Sequence, residues 1–309
     1  MMRIRTVAVA LVLSAFTLTR GAAGAAVLPP APTPAESFDV GTLHVDRYGS
    51  GDPIVLIPGL ACGAWVWNGI IPHLAATHAV YALTLAGFAG RPPLGTPSFA
   101  GFTRDLTALL DQRHLTRVVL VGHSLGGTLA IAYAEQDSNR LRGVVAVDGL
   151  PIFPDTDDLT PAQRQLVASR LASTLRAKTP DQMIAFETGL MSVGGVSDPA
   201  LAAPLAALTA QSDPTTVADW LTANVEVDLR PRLGAITVPL DEIVPYDPSE
   251  ANPVSAVHPT EAEKRAAYVA VLARARKVDV VMISPAKHFV MIDQPDRFTT
   301  TLDALLATL

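Results

Sequence analysis

The stretch Val118-Val119-Leu120-Val121-Gly122-His123-Ser124-Leu125-Gly126-Gly127 sets a serine in a G-x-S-x-G pattern. A serine hydroxyl is a weak nucleophile at neutral pH and needs a base to take its proton. The flanks give the pattern its meaning, with an apolar run before it and helical spacing after it. A strand that turns sharply into a helix strains the middle residue and presents its side chain at the carboxyl end of a sheet. Glycine suits positions 122 and 126 because a Cβ at either would crowd strand against helix. The free N–H groups at the helix start also favour a developing oxyanion. An ordinary glycine turn with an incidental serine is the bland alternative, and the strand and helix around Ser124 weigh against it.

Seven histidines compete for the role of base: His44, His73, His78, His114, His123, His258 and His288. His288 follows the apolar run Val278–Ser284 and is last in the chain, which suits the order serine, acid, histidine. His258 is its rival on a long loop. His123 lies inside the serine turn and is expected to point sideways, as packing or a hydrogen-bond partner. His73, His78 and His114 fall on helix or helix-end positions and read as surface or capping residues. An imidazole base needs a carboxylate to orient it and to stabilise its charged form. Asp247, after the run Ile236–Tyr246, is the first choice. Asp148 ends an earlier run and is the alternative, and Asp241, Glu242 and Glu250 stay open. A turn aspartate before Pro248 is the bland reading of Asp247. The backbone N–H of Leu125, and that of Leu60 in Pro58-Gly59-Leu60, are the expected oxyanion donors.

Positioning these groups requires a sheet. Pro53–Ile57, Ala79–Leu85, Arg117–Val121, Leu141–Val147, Ile236–Tyr246 and Val278–Ser284 read as strands, after a strand pair within Phe38–Tyr48. Helical patterns fall between them, at 67–76, 99–114, 126–135, 260–276 and from Pro295 onward. In one of these, Phe102, Leu106, Leu109 and Leu110 share a face. Strand and helix in alternation predict an α/β fold, a mostly parallel sheet with helices on both faces. From about 151 to 234 no strand pattern appears, which predicts a helical cap inserted into a domain spanning 38–309. Within it, Met183, Phe186, Leu190, Met191 and Trp220 are candidates for an apolar acyl pocket.

The N-terminus reads differently. Arg3 and Arg5 precede the apolar run Val7–Leu18, and Ala23-Gly24-Ala25 fits a cleavage site. Residues 1–25 are therefore expected to be a signal peptide for export, followed by a Pro-rich linker over 26–37. Loss of Arg3, Arg5 and Arg20 would move the formal net charge from −6 to about −9. Such a surface does not suit nucleic acid, and no later run is long and apolar enough to span a membrane. With a single cysteine, Cys62, no internal disulfide is possible, so the core must carry stability. Cys62 itself reads as a small core residue. No H-E-x-x-H, paired C-x-x-C, Walker loop or G-x-G-x-x-G occurs, so no metal or organic cofactor is expected.

Five segments taken together resemble the α/β-hydrolase superfamily over roughly residues 38–309. Val55-Leu56-Ile57-Pro58-Gly59 resembles its oxyanion strand, with Pro58 where many members have histidine. Trp65 or Trp67 resembles the tryptophan that often follows. Leu85-Ala86-Gly87-Phe88-Ala89-Gly90 resembles its strand-4 loop, with Thr84 in place of the usual aspartate. Gly122–Gly127 resembles the lipase and esterase elbow, and Lys287–Pro295 the histidine loop of capped members. The chain departs from the family at Pro245-Tyr246-Asp247, where many relatives have a G-x-x-D turn. Serine at 124 disfavours the branch with an aspartate nucleophile. The resemblance implies acyl transfer from a small-molecule substrate, an ester or related compound, to water. Acyltransfer to an alcohol, and cleavage of amides, lactones or carbon–carbon bonds, use similar triads and stay open. A non-catalytic binding protein on the same fold would show a broken triad, and Ser124 and His288 are both present.

Overall fold

A computed structural model describes residues 28–249 and 259–309. The expected signal peptide, Glu250 and His258 lie outside the described residues. Eight strands form one sheet: β1 (Glu36–Val40), β2 (Leu43–Tyr48), β3 (Asp52–Ile57), β4 (His78–Leu85), β5 (Val118–His123), β6 (Leu141–Val147), β7 (Leu240–Pro245) and β8 (Val280–Ile283). Their spatial order is β1-β2-β4-β3-β5-β6-β7-β8. The β1–β2 and β2–β4 pairs are antiparallel, and all later pairs are parallel.

Ten α-helices accompany the sheet among the described residues: α1 (Ile71–Leu74), α2 (Phe99–Gln112), α3 (Leu125–Gln136), α4 (Pro161–Arg176), α5 (Pro180–Leu190), α6 (Ala202–Thr209), α7 (Pro214–Glu226), α8 (Glu261–Leu272), α9 (Val290–Asp293) and α10 (Pro295–Thr308). Helices α4 to α7 occupy the chain between β6 and β7, the region that lacked strand patterning. Capping boxes start three helices, at Thr160/Gln163, Thr179/Gln182 and Thr260/Glu263.

The sheet is covered on both faces because its strands are apolar on both. In β3, Val55 and Ile57 join one core while Ile54 and Leu56 join the other, following the two-residue period of a strand. The first core takes Phe102 and Leu106 from α2, Leu129 and Tyr133 from α3, and Tyr268 and Leu272 from α8. The second takes Leu74 from α1, Val290 from α9, and Phe298 and Leu302 from α10. Each such fully buried aliphatic side chain is worth roughly 1.5–3 kcal/mol relative to exposure.

The structure differs from the sequence reading at several element ends. The strand expected over Ile236–Tyr246 begins at Leu240, and the residues before it follow a 3₁₀ turn, Arg230–Ala235. The helix expected over 67–76 is a 3₁₀ turn, Ala64–Trp67, followed by the single turn α1. Glu36 and Ser37, read as linker, already pair with Arg47 and Asp46 in β1. No helix among the described residues is long and apolar enough to cross a membrane.

Candidate active site

Ser124 stands between the end of β5 and the start of α3. Its backbone lies at φ 54° and ψ −121°, a strained conformation for a residue with a Cβ. The turn is held by the Ser124 N–H, which donates to Val147 O at 2.9 Å, and by Ser124 O, which accepts from Gly127 N–H at 2.9 Å. The glycines are required by contact: a Cβ on Gly122 would come 2.2 Å from Gly126 O, and one on Gly126 would come 2.3 Å from Ile57 O. Strand, helix and the end of β3 therefore meet with no room for a side chain.

His288 sits in the loop between β8 and α9. Its backbone is pinned twice: His288 N–H donates to Gly194 O at 3.0 Å, and His288 O accepts from His123 Nε2 at 3.0 Å. Its ring centroid lies 4.5 Å from that of His123, the residue immediately before Ser124. His288 is thus delivered from the far end of the chain to the serine turn. His123 points sideways between Trp67, Phe289 and His288. Burial takes its pKa down to about 3, so it is a neutral donor there.

The carboxylate beside His288 is Asp148. His288 Nδ1 and Asp148 Oδ2 are 2.5 Å apart, and Tyr268 Oη from α8 donates to Asp148 Oδ1. Burial alone would raise the Asp148 pKa. The His288 hydrogen bond and charge outweigh it, helped by Lys264 and the Tyr268 hydroxyl, and hold the group well below the usual carboxylate range. An ionised Asp148 can only accept, so His288 Nδ1 must carry a proton, and in the neutral ring Nε2 is the nitrogen with the lone pair. Asp148 reaches this position through a left-handed backbone, φ 51°, one residue past β6.

Asp247, the first choice from sequence, does not meet His288. Its Oδ1 accepts from Ser249 N–H at 2.8 Å and Ser249 Oγ–H at 2.6 Å, and its Oδ2 accepts from Ser197 Oγ–H at 3.3 Å. It closes its own turn, as aspartates before a proline commonly do. The other open candidates are elsewhere: Asp241 is near the start of β7, where it accepts from Asp279 N–H at 3.2 Å, and Glu242 is wholly buried one residue on. Tyr268 had no signal in the sequence, because nothing in a helix pattern 120 residues away ties it to Asp148.

The loop that carries Leu60 and the first residue of α3, Leu125, lie on either side of the serine turn. Leu125 is the first residue of α3, where an N–H has no partner within the helix. The loop carrying Leu60 crosses tightly over the serine turn. A Cβ on Gly59 would come 2.9 Å from His123 Nδ1 and 3.2 Å from Ser124 Cβ. Cys62 N–H closes that loop onto Gly59 O at 3.1 Å. The Cys62 thiol is buried and unpaired, and burial raises its pKa, so it stays protonated. Thr84, in the place of the family's usual aspartate, accepts from Ala64 N–H at 2.9 Å and holds the turn beyond.

The inserted helices are tied to both sides of the site. Gly194 O and Gly195 O, in the π-helical turn Met191–Gly195, accept from His288 N–H and Phe289 N–H. Lys287 Nζ donates to Ser192 O at 3.1 Å. On the opposite side Ser212 Oγ donates to Ala61 O at 2.9 Å, and Asp213 N–H donates to Gly87 O at 2.6 Å. Of the apolar residues expected to line a pocket, Met183, Met191 and Trp220 are buried and Phe186 is half-buried. Leu190 is half-exposed, on the outside of α5. Among the described residues no three His, Cys, Asp or Glu side chains are grouped to hold a metal ion.

Comparisons with known proteins agree with this architecture. The chain is 32% identical over 120 residues to a pimeloyl-acyl-carrier-protein methyl ester esterase of Aeromonas hydrophila, covering 38% of this chain and 45% of that protein. It is 34% identical over 117 residues to a 2-hydroxy-6-oxo-2,4-heptadienoate hydrolase of Pseudomonas putida, covering 36% and 42%. These alignments therefore span less than half of either relative. The enol-lactonase of Burkholderia xenovorans superposes with a TM-score of 0.69 at 20% identity, over 88% of this chain and all of that one, a likeness of fold. A sequence model of the alpha/beta hydrolase family matches residues 54–301, and the chain belongs to that family.

Proposed function

We propose that the protein is an exported serine hydrolase that cleaves a carboxylic ester or related acyl bond of a small to medium, rather apolar substrate. Ser124 is the nucleophile, His288 the general base and Asp148 the acid that orients it. The observation that carries this reading is the 2.5 Å contact between His288 Nδ1 and Asp148, made where the His288 ring lies against the residue before a strained Ser124. His288 Nε2 takes the hydroxyl proton as Ser124 Oγ attacks the acyl carbon. The N–H groups of Leu60 and Leu125 hold the oxyanion, and losing one such donor typically costs about 100- to 1,000-fold in rate. The proton on Nε2 then passes to the leaving alcohol, which departs and leaves an acyl-enzyme. Water attacks that intermediate with its proton drawn to Nε2, and the acid leaves as Ser124 recovers its own. The esterase and enol-lactonase among the similar proteins support an acyl–oxygen bond as the target. Export rests on the basic and apolar pattern of residues 1–25.

A fluorophosphonate probe tests the reading, followed by nitrophenyl esters of increasing acyl length. The native protein should label and turn over esters, and S124A should do neither. Equal labelling of both would remove Ser124 from the role. Recovery of a mature chain that starts near Ala26 from the exported fraction would test the leader.

A further inference from the structure

Glu242 is a charged residue type in a fully buried position on β7 that the proposed reaction does not use. It pairs with Ala146 of β6 on one side and with Val280 of β8 on the other. Its side chain reaches the residue after the site's acid: Oε1 accepts from Gly149 N–H at 3.0 Å. Among the described residues Oε2 has no hydrogen-bond partner. Gly149 is itself wedged beneath the serine turn, since a Cβ there would come 2.7 Å from Gly127 Cα and 2.8 Å from Ser124 O. One amide therefore lies at the junction of the left-handed Asp148 turn, the Ser124 turn and β7.

We propose that Glu242 is a positioning residue for Asp148: a neutral buried carboxyl that grips the Gly149 amide and so holds the Asp148 carboxylate in register with His288. This rests on the Ser124–His288–Asp148 reading. The chemistry of the pair fits. Burial, reinforced by the charge of Asp148, raises the Glu242 pKa well above its ordinary value despite the nearby backbone amides of Gly149 and Asp148. Asp148 is held in the opposite direction. Two adjacent carboxyls with pKa values driven apart can hold different protonation states, one charged and one neutral. A neutral Glu242 also avoids a second anion beside Asp148 that would compete for the positive charge His288 acquires.

The test compares E242Q and E242M with the native protein. E242Q keeps a neutral acceptor for Gly149 N–H and should rescue kcat to within about threefold. E242M keeps the volume and loses the acceptor. It should lower kcat by about 10- to 100-fold with KM within about twofold, the scale expected when a reacting group is misplaced by an ångström. Melting of E242M should fall modestly, because the buried Gly149 N–H loses its acceptor and removal of the unpartnered Oε2 offsets only part of that. A purely structural role would lower the melting temperature and leave kcat, assayed well below melting, within about threefold of native. Full kcat in E242M, or equal losses in E242Q and E242M, overturns the proposal. Should E242M fail to fold, infrared difference spectra of native protein minus E242Q decide at neutral pH. A protonated-carboxyl band supports the proposal, and its absence overturns it. Failure of the native protein to label with fluorophosphonate would overturn the triad reading instead, whatever the infrared band shows.

Discussion

Strands β6 and β7 lie side by side, and each is followed by an aspartate at its carboxyl end. Asp148 follows β6 and turns toward His288, while Asp247 follows β7 and turns back onto Ser249. The residue type is the same and the strand ends are neighbours, so neither identity nor proximity separates them. What separates them is backbone. Asp148 adopts φ 51° directly after the strand, which swings its side chain over the sheet edge toward the β8 loop. Asp247 sits two residues past β7 and finds two hydroxyls and an amide within reach before any imidazole. A carboxylate takes the nearest good donors, and the turn decides which those are.

The sharpest way to break this comparison is to neutralise each aspartate in turn. D148N should lower kcat by roughly 10³- to 10⁴-fold, because an amide no longer enforces the right tautomer or steadies the imidazolium. D247N should leave kcat within about threefold. A larger loss in D247N than in D148N, measured with the same nitrophenyl ester, would reverse the assignment of the two strand ends. The second arm of Asp148 gives the next effect down. Y268F removes a hydrogen bond to a charged acceptor and should cost about 10-fold in kcat with KM little changed.

Smaller effects fall on stability and sharpen the contrast from the β7 side. D247N weakens a turn cap, with an expected loss of about 1 kcal/mol, or roughly 2–4 °C in melting temperature. The smallest concerns Asp241, near the start of β7. Burial pushes its pKa from 3.8 up to about 6. Between those values the folded chain holds a proton that the unfolded chain has released, so stability falls as pH rises through that window. D241N should therefore raise the melting temperature at pH 8 by a few degrees and leave it unchanged at pH 4. Equal shifts at both pH values would mean that Asp241 is ionised in the folded chain, as Asp148 is.

The serine turn was legible in the sequence because its requirements are local. Gly122, Ser124 and Gly126 lie within five residues, and the collisions that demand glycine involve the same turn and the end of β3. The sheet was legible for a similar reason, since strands buried on both faces leave continuous apolar runs such as Val118–Val121. The acid was not. Asp148 and Asp247 both satisfy the rule that a carboxylate follows a strand, and the deciding φ of 51° leaves no mark on the composition. Tyr268 was out of reach because its partner comes from another element, and Glu242 was readable only as an alternative acid, its contact with the Gly149 amide being made across strands. The reach of β7 was overstated because Ile236 and Val238 look like strand residues, while the 3₁₀ turn ending at Ala235 and Pro239 delay pairing until Leu240.

The hydrogen bonds from His288 and Phe289 to the carbonyls of Gly194 and Gly195 make the inserted helices and the imidazole one mechanical unit. Any displacement of that π-helical turn must either break both bonds or carry the His288 backbone with it. On the proposed mechanism, substitutions in the inserted helices that shift this turn to suit a new acyl group would also retune the histidine.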